Sequence, residues 1–123
     1  MFEAYGGHMY IGSHSFVGVS RNLFWAMSNG FLELAPSPTI FTMVQNPLTL
    51  TAGGCAVLAT MGGLVQVNPS PAGFSNPGFV QGPKYTANLG GVIATSGLGV
   101  NYFPGSVAGT PVSFDAVTGG VYQ

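Results

Sequence analysis

Five side chains out of 123 carry a formal charge, Glu3, Arg21, Glu33, Lys84 and Asp115, and His8, His14 and Cys55 complete the titratable set expected to act near neutral pH. General acid–base work needs such groups to converge, and three carboxylates with two histidines are a bare minimum. His8 and His14, six positions apart, could join Glu3 as three ligands, but the spacing matches no recognised metal motif. Ser13-His14-Ser15 lacks the flanking glycines of a nucleophile elbow, and Ser13 stands where the first glycine is needed. Gly97-Leu98-Gly99 begins like a dinucleotide fingerprint and fails at the third glycine, where Tyr102 stands. Cys55 is the single cysteine, beside Ala56 and Val57, and reads as a small buried hydrophobe. The expectation is a protein that is not an enzyme, with no catalytic residues, no metal site and no cofactor.

The same shortage of charge excludes other classes. Nucleic-acid binding draws on Lys and Arg to release counterions, and Arg21 and Lys84 are the whole supply. It also argues against attraction to an anionic membrane. The least polar stretch, residues 52–67, is broken by four glycines, Thr60 and Gln66, which is too interrupted for a spanning helix. Met1-Phe2-Glu3-Ala4-Tyr5-Gly6-Gly7-His8 has neither the basic nor the apolar region of a secretion signal, so synthesis and retention in a cytoplasm are expected.

Positioning of the side chains falls to short, glycine-punctuated strands in one domain spanning residues 1–123. Disorder is a poor reading, because 46% of residues are apolar and few are charged. Gly-Gly pairs at 53–54, 62–63, 90–91 and 119–120 have β-favouring neighbours and read as hairpin turns. A turn at Gly53-Gly54 would set Leu50 against Val57 and Leu48 against Ala59, and Gly62-Gly63 would extend this to a meander over residues 48–67. A second hairpin would turn at Gly90-Gly91. Ser20 through Leu34 has room for at most one short helix, Thr39 to Val44 reads as a strand, and Thr110 to Phe114 and Gly120 to Tyr122 supply the last strands. The expected fold is therefore all-β, a small sandwich or barrel of hairpins.

Two segments are candidates for contact with a partner. Residues 68–79 hold three prolines with Phe74 and Phe79, a loop whose rings either tuck back onto the sheet or insert into a neighbouring subunit. Residues 1–10 carry Phe2, Tyr5, Met9 and Tyr10 among glycines, large anchors on a flexible backbone, and read either as a frayed terminus or, the favoured reading, as a contact arm that orders on another subunit. Phe2, Tyr5, Tyr10, Phe74 and Phe79 are accordingly the expected partner-binding residues.

An ordinary soluble surface relies on mixed charges and a net charge away from zero, and this chain has a net charge of -1. A surface covered by other subunits explains the composition, since Asn, Ser, Thr and Gln satisfy hydrogen bonds across an interface without desolvating ions. In size, low charge, Gly- and Thr-rich strands and the ending from Pro104 to Gln123, the chain resembles the cement or decoration proteins of tailed-phage capsids. That resemblance implies a β-sandwich or barrel, a trimer, and a place on the capsid surface of a virion, bound to the major capsid protein. Other assembly or binding readings are a tail, fibre or lectin-like module using its aromatics on carbohydrate, and a self-assembling pilus or sheath subunit.

Overall fold

The computed structural model describes residues 1–18, 20–111 and 119–123. Its strands never fold back on themselves: every ladder is parallel. The chain instead winds in successive rungs, each laying strands onto up to three separate sheets. The first rung gives β1 (Phe2–Tyr5), β2 (His8–Ile11) and β3 (His14–Phe16), and the second β4 (Ser20–Met27), β5 (Phe31–Leu34) and β6 (Ile40–Met43). The third gives β7 (Leu48–Ala59), β8 (Leu64–Val67) and β9 (Gly73–Ser75), and the fourth β10 (Val80–Gln81), β11 (Tyr85–Ala87) and β12 (Val92–Ala94). The last contributes β13 (Val121–Tyr122). Sheet 1 stacks β1, β4 and β7, with β10 and β11 both on β7; sheet 2 runs β2, β5, β8, β12, β13; sheet 3 runs β3, β6, β9. This is a parallel β-solenoid, in which each rung buries its inner face only by stacking on a neighbour.

The expected hairpin sandwich or barrel is thus overturned. Leu50 pairs with Ser20 and Val57 with Phe24, not with each other, because Gly53 and Gly54 lie inside β7. There the strand carries extra residues between Leu50 and Cys55, against only Arg21 between Ser20 and Asn22 of β4. The bulge leaves Thr51, Ala52 and Gly53 exposed. No helix occupies residues 20–34, which form β4, a turn and β5; the one helical element among the described residues is a 3-10 turn at Pro77–Phe79. The expected strands at 39–44 and 120–122 are present as β6 and β13. Thr110 forms a parallel bridge with Thr86, and residues 112–118, part of the expected tail strand and of the ending that carries the resemblance, lie outside the described residues.

What the other Gly-Gly pairs do is turn the corner between sheets 1 and 2. Gly30 N–H donates to Met27 O at 2.8 Å, Gly63 to Thr60 O at 2.9 Å and Gly91 to Asn88 O at 2.8 Å. The central residues of these turns, Ser28-Asn29, Met61-Gly62 and Leu89-Gly90, all have positive φ, which is the type I′ geometry. The turns stack: Asn29 N–H donates to Met61 O and Gly62 N–H to Leu89 O, each at 3.1 Å.

Alternation along each strand fills the interior with like residues above like. Phe2, Phe24, Val57 and Tyr85 share one register column of sheet 1, and Ala4, Ala26, Ala59 and Ala87 the next inward one. Sheet 2 contributes Leu32, Val65, Ile93 and Tyr122, and sheet 3 the buried Phe16, Phe41 and Met43 with the half-buried Phe74. Aromatic rings bridge the sheets, with Phe24 and Phe41 5.0 Å apart edge to face and Tyr85 stacked on Tyr122 at 3.9 Å. Burying each large side chain contributes about 1.5–3 kcal/mol, so the core lies along the whole axis and does not concentrate at one point. Asn22 is the one fully buried amide among the described residues; its Oδ1 accepts the Cys55 N–H at 3.0 Å where the β7 bulge interrupts the ladder.

Candidate partner-binding surfaces

Strand alternation that points one set of residues inward points the other outward in equally regular columns. On sheet 2 the outward column beside the corner reads His8, Phe31, Leu64, Val92, Val121, one residue per rung and each directly after a corner glycine. The four apolar members are half-buried by one another. His8 lies flat on Phe31, ring centroids 4.4 Å apart, and its Nε2 is 3.3 Å from Glu33 Oε2. Asn68 Nδ2 donates to the other carboxylate oxygen, Oε1, at 3.0 Å, so the one carboxylate of this face is held at its edge. The next outward column is Tyr10, Glu33, Gln66 and Ala94.

Along the adjoining corner stand Met61 and Leu89, 51% and 54% exposed, at turn positions where left-handed backbone favours glycine or asparagine. Large apolar side chains there cost strain and are not recovered by burial within the chain. Sheet 1 is capped outside by Trp25, with the Arg21 guanidinium 5.9 Å from its ring centroid, and by Leu58 and Thr86 in the same column.

The residues expected to bind a partner separate into two groups. Phe2, Tyr5 and Tyr10 sit on β1 and β2 of the first rung, not on a free arm; Phe2 packs against the core, and Tyr5 and Tyr10 are exposed on different sheets. Phe74 lies on β9, 5.7 Å from Phe41, and Phe79 in the 3-10 turn, both packed against the core. The loop read from its prolines contains a short strand, β9, and Pro69, Pro71 and Pro77 all lie outside it. The half-exposed column Phe31, Leu64, Val92, Val121 escaped the sequence reading. Its signal is a recurring phrase, Ala26-x-x-Asn29-Gly30, Ala59-x-x-x-Gly63, Ala87-x-x-x-Gly91 and Ala116-x-x-x-Gly120, each followed by an apolar residue.

As for chemistry, His14 stands in a shallow open depression of about 450 Å³ with Ser13, Ser15, Ile40 and Thr42. Its ring packs edge-on to Phe2 at 4.7 Å and Phe16 at 5.3 Å, and the Ser13 hydroxyl accepts the Ile40 N–H at 3.0 Å, so these groups are engaged in packing and backbone bonding. Among the described residues no group of three or more His, Cys, Asp or Glu is placed to hold a metal. Burial pushes the Cys55 thiol up to about 11, against a lowering by its hydrogen bond with Thr86, and its Sγ donates to Val57 O at 3.0 Å; a thiol so held is not a nucleophile at neutral pH. No helix in the described residues is long and apolar enough to cross a membrane. Comparison with models of known families, with curated proteins and with solved structures finds no match to this chain.

Proposed function

We propose that this chain is a structural subunit that assembles through the outer face of sheet 2, and that its setting is a virion, where it serves as a capsid decoration subunit bound to the major capsid protein. One observation carries the reading: the apolar column Phe31, Leu64, Val92, Val121 lies on the outer face of sheet 2 beside the strained, exposed Met61 and Leu89. A rigid apolar face with one tethered carboxylate suits burial against another protein surface. A homo-oligomer, with a trimer as the order the resemblance implies, is the first level of that assembly. The sandwich or barrel that the phage resemblance implied is not this fold, so the virion setting rests on composition and on this face.

A carbohydrate-binding tail or fibre module is the weaker reading. Sugar sites gather aromatics with polar partners at one place, whereas Tyr5, Tyr10 and Trp25 are spread over two sheets.

The test is the mass of the purified protein by light scattering, for wild type and for Leu64→Lys with Val92→Lys. Wild type is expected at a multiple of 12.6 kDa, with little change between low and high salt because few charge pairs exist to be screened. The double variant is expected to fold and to lose the lateral oligomer. A wild-type protein that stays monomeric at high concentration overturns the reading.

A further inference from the structure

We propose that copies of this chain also stack end to end, head to tail along the solenoid axis, with β2 of one copy adding to β13 of the next in the register that sheet 2 already uses. The proposal rests on the subunit reading and concerns a different surface, the ends of the stack.

Sheet 2 builds itself by one repeated step. The first residue of each strand donates its N–H to the corner glycine carbonyl of the rung before: Phe31 to Gly7 O at 2.7 Å, Leu64 to Gly30 O at 2.9 Å, Val92 to Gly63 O at 2.8 Å and Val121 to Gly91 O at 2.9 Å. Among the described residues β2 has β5 on one side and no strand on the other, and β13 has β12 on one side and none on the other. Continued across two copies, the series places the His8 N–H on Gly120 O, the Tyr122 N–H on His8 O and the Tyr10 N–H on Tyr122 O. Outward His8 then follows Val121 in the outer column, and inward Met9 follows Tyr122 in the core.

Gly7 supplies the second argument. At Gly30, Gly63, Gly91 and Gly120 a Cβ would run into the carbonyl of an alanine one rung earlier, Ala4, Ala26, Ala59 and Ala87 in turn. Glycine is therefore obligatory wherever a rung lies beneath. Gly7 likewise directly precedes its sheet 2 strand, in a corner one residue shorter, and like those four has no positive φ, but it is exposed and the nearest atom to a Cβ there is Tyr5 O at 4.0 Å. Nothing within the described residues requires glycine at position 7, whereas a rung beneath it would.

The first rung is also lightly guarded: exposed sheet edges are ordinarily blunted by proline, charged side chains or a bulge, and among β1, β2 and β3 only Glu3 on β1 is of that kind. The core's end shows there as the half-buried Phe2 and Met9. Partners of another kind could add a strand to such an edge, but this chain carries at its other end a parallel strand in matching register, β13. A head-to-tail contact of this sort repeats without closing and gives rods.

The test is disulfide cross-linking with His8→Cys and Val121→Cys combined in the full chain. Neighbours in one parallel column come within the Cα separation of about 4.4–6.8 Å that a disulfide spans, and Cys55 is buried and does not compete. Mild oxidation of the double variant is expected to give a ladder of covalent dimers, trimers and longer species, each single variant none, and an equal mixture of the two singles a dimer alone. No ladder, or a dimer from His8→Cys alone, which signals two like ends meeting, overturns the proposal. A Gly7→Ala variant supplies a check free of cysteines: it is expected to unfold at the wild-type temperature and to lose the concentration-dependent growth in mass above the lateral oligomer. Growth retained in Gly7→Ala overturns the stack. A wild-type protein of fixed trimeric mass with no ladder removes the stacking alone, whereas a monomer without a ladder removes the subunit reading as well.

Discussion

The carbonyl oxygen of Ala26 lies directly beneath Gly63, in the space where a side chain on residue 63 would begin. Sheet 1 sends its alanine column up to the corner, and sheet 2 starts from a glycine column resting on those carbonyls. The pairing recurs as Ala4 with Gly30, Ala59 with Gly91 and Ala87 with Gly120. It fixes how closely successive rungs approach at the corner, and so the register of two sheets at once.

Gly63→Ala is expected to be costly for that reason, by about 2–4 kcal/mol, as befits an overlap with backbone that cannot rotate away. Gly7→Ala, at the equivalent position with no rung beneath, is expected to leave the stability of the single chain within about 0.5 kcal/mol of wild type. Urea unfolding of the two variants at low protein concentration checks the pair, and equal effects would remove the stacking account of the corner.

Leu89 holds φ at 48° with its side chain half in water, and asparagine adopts that conformation more readily. Leu89→Asn is expected to stabilise the isolated chain by about 1 kcal/mol, seen as a rise of about 4 °C in Tm, while weakening lateral assembly. A lower Tm at low protein concentration would show that Leu89 is held by contacts within the chain.

Alkaline pH should unfold the protein. Burial raises Tyr102 and Tyr122 from 10.0 to about 12 and Cys55 from 9.0 to about 11. The folded chain therefore holds these protons more tightly than the unfolded chain, so these groups leave stability unchanged below about pH 9 and reduce it as pH rises from 9 to 12. Circular dichroism should fall over that window together with a rise in tyrosinate absorbance, and β-structure intact at pH 12 would contradict the burial of these groups.

Much of the local structure is legible in the residues, and the pairing is not. The alternation in Leu64-Val65-Gln66-Val67 and in Thr39 to Val44 marks strands, and Gly62-Gly63 and Gly90-Gly91 mark reversals in direction. A hairpin turn and a solenoid corner make the same demand for positive φ, however, so glycine pairs cannot say whether the next strand returns beside the last or starts another sheet. Gly53-Gly54 misled most, since alternation closes on itself around a bulge as well as around a turn. The phrase from Ala26 to Gly30, repeated near Gly63, Gly91 and Gly120, would have revealed the rungs, but segments of unequal length between its copies hide the period. Of the residues expected to bind a partner, Tyr5 and Tyr10 are exposed, as aromatics among glycines find little local cover. Leu64 and Val92 were not legible in the sequence, because half-burial by neighbours in register exists only once the rungs are stacked.

Among the described residues the shortest-range ladder joins Phe2 to Phe24. Those residues hold no local hairpin from which folding could begin, and each first contact among them must close a loop of about twenty residues or more before any apolar burial offsets the lost entropy. Folding is therefore expected in the slow, milliseconds-to-seconds range of topologies dominated by distant contacts. Once two rungs have met, each further rung adds to a finished edge, so growth of the solenoid is fast and only its start is slow.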